Sequence, residues 1–64
     1  METNEGFYTV NQLSELLQVP RSRIYNMVFR KVIPYCKLGR TVRFRKMDIA
    51  KVIESNYITA IHNI

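Results

Sequence analysis

Pro20 and Pro34 set the limits on what this 64-residue chain can fold into. Proline has no amide hydrogen and a fixed φ, so it opens a helix but does not continue one. The residue before it is also pushed out of the α region. No helix therefore runs across either position, and the chain is built from short elements. A domain this short hides only roughly 60% of the surface its unfolded form exposes. That leaves room for one small core and excludes a deep, water-free catalytic cavity.

Ahead of Pro20, the run from Thr9 to Gln12 spells a capping box. The Thr9 hydroxyl accepts from the Gln12 amide, and the Gln12 side chain returns to the Thr9 amide. This predicts a helix from about Val10 to Leu17, with Val10, Leu13, Leu16 and Leu17 on one face and Asn11, Ser14, Glu15 and Gln18 on the other. Gln18 and Val19 alone form the turn into a second helix opened by Pro20. There Ile24, Met27 and Val28 make an apolar stripe, while Arg23, Asn26 and Arg30 make a polar one on a different face. Pro34 requires this helix to end near Arg30 or Lys31.

From Tyr35 the period changes to two. Cys36 and Leu38 alternate with Tyr35 and Lys37, then Val42 and Phe44 alternate with Arg43 and Arg45, with Gly39 in the turn. The pattern predicts a β-hairpin with one apolar face (Cys36, Leu38, Val42, Phe44) and one basic face. Such a hairpin is marginal alone and must lie on the helices. Met47, Ile49, Val52 and Ile53 predict a third helix, with Asp48 in its first turn where negative charge suits the dipole. Beyond Asn56, the apolar residues Tyr57, Ile58, Ile61 and Ile64 either extend that helix or form a contact surface. The predicted core is Leu13, Leu16, Leu17, Ile24, Met27, Val28, Leu38, Val42, Phe44 and Ile49.

The net charge of +5 is unevenly placed. Through Val19 the only charged residues are Glu2, Glu5 and Glu15. Between Pro20 and Lys46 stand Arg21, Arg23, Arg30, Lys31, Lys37, Arg40, Arg43, Arg45 and Lys46, with no acidic residue among them. A focused positive potential of this kind attracts polyanions such as nucleic acid or anionic lipid. No apolar run reaches the length of a membrane span, and the acidic start lacks the basic region of a secretory signal. A lone Cys36, expected in the core, makes no disulfide, and His62, expected at the surface, has no companion ligands for zinc. These features predict a reduced, cytoplasmic setting, without metal or cofactor. No nucleophile, base and orienting group occur together, so no catalytic residue is assigned and catalysis is not expected.

Two helices with a tight turn, a hairpin and a closing helix are the order of a small α+β winged helix-turn-helix domain, spanning residues 7–56 with a tail at 57–64. In that geometry the second helix enters the major groove of double-stranded DNA, and the hairpin wing reaches the flanking backbone or minor groove. Arg21, Ser22, Arg23 and Asn26 then lie where side chains meet base edges, Arg matching guanine and Asn adenine. Arg30 and Lys31 fall nearer the backbone. In the wing, Lys37, Arg40, Thr41, Arg43 and Arg45 are the contact candidates, with Arg40 beside Gly39 placed for the minor groove and the others for backbone.

The stretches Tyr8 to Val28 and Ile33 to Ile49 also resemble the excisionase-like, MerR-related winged-helix DNA-binding family. The resemblance covers roughly Phe7 to Ser55. Its most specific parts are Tyr8-Thr9-Val10, Arg21-Ser22-Arg23-Ile24-Tyr25, Ile33-Pro34, Lys37-Leu38-Gly39-Arg40, Val42-Arg43-Phe44 and Asp48-Ile49. It implies a phosphate contact through the hydroxyl of Tyr25, which by spacing is equally placed to be partly core. The family often has Gly where this chain has Gln18 and Lys31, and Ser where it has Pro20. A non-glycine left-handed cap is strained, so either helix two ends differently here or the domain is less stable than its relatives.

The resemblance implies an architectural protein of a mobile element. Such a protein binds repeated sites in bacterial nucleoid DNA, bends them, and helps a tyrosine recombinase (integrase) run in the excisive direction. The absence of a coiled coil and a ligand-sensing domain separates the chain from a MerR-type activator. A small phage or plasmid transcriptional regulator is the alternative within DNA binding. A protein-interaction adaptor docking through Tyr57 to Ile64 is the alternative outside it. The small footprint of one such module predicts weak binding alone and cooperation with neighbouring copies or the recombinase, with the apolar tail as the contact surface.

Overall fold

The computed structural model describes residues 6–58. Its elements are β1 (Phe7–Tyr8), α1 (Val10–Leu17), α2 (Arg21–Phe29), β2 (Cys36–Leu38), β3 (Thr41–Arg45) and α3 (Lys46–Ser55). Together they form a small α+β winged helix-turn-helix.

The capping box forms as the spacing predicts: the Gln12 amide donates to Thr9 Oγ1 at 3.0 Å, and the Thr9 amide to Gln12 Oε1 at 3.0 Å. Two amides at the start of α1 thereby find partners that the helix itself does not supply. Helix α2 begins directly after Pro20, whose carbonyl accepts from the amides of Arg23 at 2.9 Å and Ile24 at 3.4 Å.

Both helices end in the same way. Gln18 has φ +56° and Lys31 φ +58°, the left-handed region. Behind Gln18, the Val19 amide donates to the Ser14 carbonyl and the Gln18 amide to that of Glu15. Behind Lys31, the Val32 amide donates to Met27 and the Lys31 amide to Val28. These paired bonds make a Schellman cap, a site that favours glycine because it has no Cβ to clash. Of the two outcomes expected at Lys31, the strained left-handed cap is the one that occurs.

The sheet has three antiparallel strands in the order β1-β3-β2, one more than the periodicity predicts. Strand β1 is only two residues long and offers no alternation to detect. It pairs Phe7 with Arg45 and Tyr8 with Phe44, and the Lys46 amide donates to the Gly6 carbonyl at 3.0 Å.

The register of the hairpin corrects the expected faces. Cys36 pairs with Arg43, Lys37 with Val42 and Leu38 with Thr41, around a two-residue loop of Gly39 and Arg40. Residues paired directly across an antiparallel ladder share a face. Cys36 and Leu38 therefore lie with Arg43 and Thr41, opposite Val42 and Phe44. Within that loop Gly39 has positive φ, +66°, and Arg40 does not, as a II′ turn requires at its first and second central residues.

Six buried side chains make the core, drawn from every longer element: Val10 and Leu13 of α1, Ile24 of α2, Ile33 of the connecting segment, Phe44 of β3 and Ile49 of α3. Burying each contributes roughly 1.5–3 kcal/mol. Leu17, Met27, Val28, Val42 and Val52 pack against this cluster while partly exposed.

Two expected core residues are not in it. Leu16 is 47% exposed and Leu38 62% exposed. Leu16 lies at the edge of the α1 stripe, beside Tyr8, Gln12 and Lys46 rather than under the sheet. Leu38 is turned outward by the hairpin register. For the same reason Cys36, a free thiol, is only partly buried and is not part of the core. Helix α3 stops at Ser55, where Asn56 closes it through its backbone and side-chain amides on the Val52 carbonyl. Tyr57 and Ile58 are exposed and non-helical, so the helix does not extend through them. Ile61, His62 and Ile64 lie outside the described residues.

Candidate functional site

The turn after α1 and the loop of the hairpin bring α2 and the wing to the two sides of one open cleft. Arg21 and Tyr25 line it from α2, Arg40, Thr41 and Arg43 from the wing, and Thr9, Val10 and Asn11 from the start of α1. Arg21 and Tyr25 share a helical face because they are four residues apart. The wing residues arrive because β3 is the central strand, held between β1 and β2.

Hydrogen bonds fix two of the guanidinium groups. Arg21 Nη1 donates to Asn11 Oδ1 at 3.2 Å, tying the first turn of α2 to α1. Arg43 Nη1 donates to the Val42 carbonyl at 2.9 Å. Each retains further N–H donors in its planar fork. Arg40, at the exposed tip, makes no side-chain hydrogen bond among the described residues.

The other candidates do not line this cleft. Ser22, Arg23, Asn26 and Arg30 are all exposed along α2. Ser22 and Asn26 are four residues apart on the face opposite buried Ile24. Tyr25 is 53% exposed, so it stands at the surface and is not partly core. Lys37 is exposed on the strand face it shares with Val42.

Arg45 is placed differently. It forms a two-point ion pair with Asp48, Nε to Oδ2 at 2.8 Å and Nη2 to Oδ1 at 3.0 Å. The hydrogen bond from Arg45 is the main reason the Asp48 carboxyl titrates below its ordinary range, and the same bond raises the Arg45 pKa. Lys46 lies over the ring of Tyr8, 5.2 Å from its centroid.

One residue of the cleft and one exposed residue beyond it escape sequence reasoning. Asn11, part of the polar face of α1, reaches Arg21 across ten residues, and no local pattern signals that contact. Phe29 ends α2 with its side chain 85% exposed. Its signal is in the sequence: it stands three residues beyond Asn26, outside the Ile24, Met27, Val28 stripe.

The site is polar, cationic and open to solvent, suited to an extended anion and not to chemistry that needs water excluded. Among the described residues there is no group of three His, Cys, Asp or Glu side chains able to hold a metal ion. No helix among them is long and apolar enough to cross a membrane.

Compared with known families, residues 7–57 match the model of a helix-turn-helix domain. No curated protein and no solved structure matches the chain significantly.

Proposed function

The chain belongs to the helix-turn-helix domain family, a DNA-binding family, and from that premise we propose that it recognises specific duplex sites by gripping one strand between α2 and the wing. The observation that carries this reading is the shared cleft, in which Arg21 and Tyr25 of α2 face Arg40, Thr41 and Arg43 of the wing. The strand that separates a major from a minor groove passes between a helix in one and a hairpin in the other. Its phosphates meet guanidinium forks suited to them in charge and geometry.

In this reading Arg21, Arg43 and the Tyr25 hydroxyl contact phosphate and fix register. Ser22, Arg23 and Asn26 meet base edges in the major groove. Arg40 enters the minor groove, while Arg30 and Lys37 add backbone contacts and Arg45 stays with Asp48. Asn11 acts as a positioning residue that holds Arg21 against the cleft wall.

The biological role we propose is that of an excisionase: binding repeated sites near an attachment site, bending them, and directing a tyrosine recombinase toward excision. The motifs from Tyr8 to Val28 and Ile33 to Ile49 support it. Neighbouring copies or the recombinase supply the affinity that one small module lacks. The test is a gel-shift and bending assay on attachment-site DNA at low salt. A retarded, bent complex is the expected result, and a duplex that is neither shifted nor bent overturns the role.

A further inference from the structure

Phe29 is the most exposed aromatic side chain among the described residues. It is 85% exposed, at the last position of α2. Ser22, Asn26 and Phe29 follow the i, i+4, i+7 spacing of one helical face, opposite buried Ile24 and half-buried Val28. The face proposed to read bases therefore ends in an aromatic ring.

From this placement, and resting on the DNA-binding reading above, we propose that Phe29 reads a thymine through its 5-methyl group in the major groove. The charge around it identifies the occupant. Arg30 and Lys31 follow it directly, both exposed, and no acidic residue stands between Pro20 and Lys46. An apolar protein partner would have to desolvate those cations with no counter-charge from this chain. A duplex neutralises them with its own phosphates. The thymine methyl is the apolar group that the major groove offers to such a side chain.

The test uses the full chain. Duplexes are selected from a random pool, and each thymine of the selected site is replaced singly by deoxyuridine, which removes only the methyl group. Wild-type binding is expected to weaken about three- to fivefold at one thymine, the equivalent of one methyl returned to water. Phe29→Ala, which removes an exposed side chain, is expected to fold normally, keep the salt dependence of binding and lose discrimination at that position. Val32→Ala, which shortens the exposed apolar neighbour beyond the helix, is expected to keep it.

Sensitivity to the methyl that persists in Phe29→Ala overturns the assignment, as does equal binding of every deoxyuridine duplex or a pool without sequence preference. So does a Phe29→Ala variant that loses only assembly with other proteins. A wild-type chain that binds no duplex fails at the earlier step, the DNA-binding reading itself.

Discussion

Arg45 ends β3 and Asp48 lies in the first turn of α3, and their side chains meet at two points, 2.8 and 3.0 Å. Because the backbone turns from strand to helix between them, the pair clasps the wing's central strand to the closing helix. It also neutralises one cation of the wing at close range. Arg40 and Arg43 have no carboxylate partner among the described residues.

Replacing Asp48 by Asn is therefore expected to release Arg45 and raise the net charge by one. DNA binding should tighten, and the log–log salt slope should steepen by up to about one. Fluorescence anisotropy across a salt series measures both. An unchanged slope means that Arg45 stays away from the phosphates even when released.

The same pair sets a pH dependence. Asp48 is held below its ordinary pKa by the Arg45 hydrogen bond, so folding favours its ionised form. The resulting stability is fully present above the unfolded carboxylate pKa, about 3.9, and is lost as pH falls through the lower folded value. Melting temperatures of wild type and Asp48→Asn should differ modestly at neutral pH and converge below that window. A gap that persists in strong acid argues against this linkage.

The two left-handed caps predict stabilising substitutions. Gln18→Gly and Lys31→Gly each relieve roughly 1–2 kcal/mol of steric strain and give back part of it through the freer unfolded chain. A net gain of about 0.5–1 kcal/mol each, or roughly 2–8 °C in Tm, is expected in thermal melts. Lys31→Gly also removes a cation, so its DNA affinity should fall as its stability rises. A loss of stability at either site would contradict the strain.

Two leucines three residues apart on α1 should respond differently. Leu13 is fully buried and Leu16 is 47% exposed. Leu13→Ala should cost about 3–5 kcal/mol, a large share of what so small a domain has. Leu16→Ala should cost under about 1 kcal/mol. Chemical denaturation compares them, and equal losses would place Leu16 in the core.

The cleft predicts a pattern of salt dependence. Arg21→Ala and Arg43→Ala should each lower the salt slope by about one and weaken binding to all sequences alike. Asn11→Ala should weaken binding less than Arg21→Ala, because it loosens a guanidinium without removing it. If Asn11→Ala and Arg21→Ala act additively in the double variant, the 3.2 Å contact does not position Arg21.

Local signals in the sequence determined both helix boundaries at the turn, the hairpin and α3. The Thr9–Gln12 box needs only the four residues that form it, and Pro20 blocks helix continuation wherever the rest of the chain lies. Likewise the period-two run after Tyr35 marks strands without reference to a partner. The concentration of positive charge on α2 and the wing is a property of composition along the chain. The tertiary structure decided what depends on pairing and reach. A two-residue loop makes the paired positions Cys36–Arg43 and Leu38–Thr41, so residues that look alike along the two strands fall on opposite faces. Only the packing of β1 against β3 gives Phe7 and Tyr8 a strand to join, and only the approach of α1 to α2 brings Asn11 to Arg21. Which cations stay free and which, like Arg45, are already paired is fixed by distances between side chains, and those exist only once the backbone has closed.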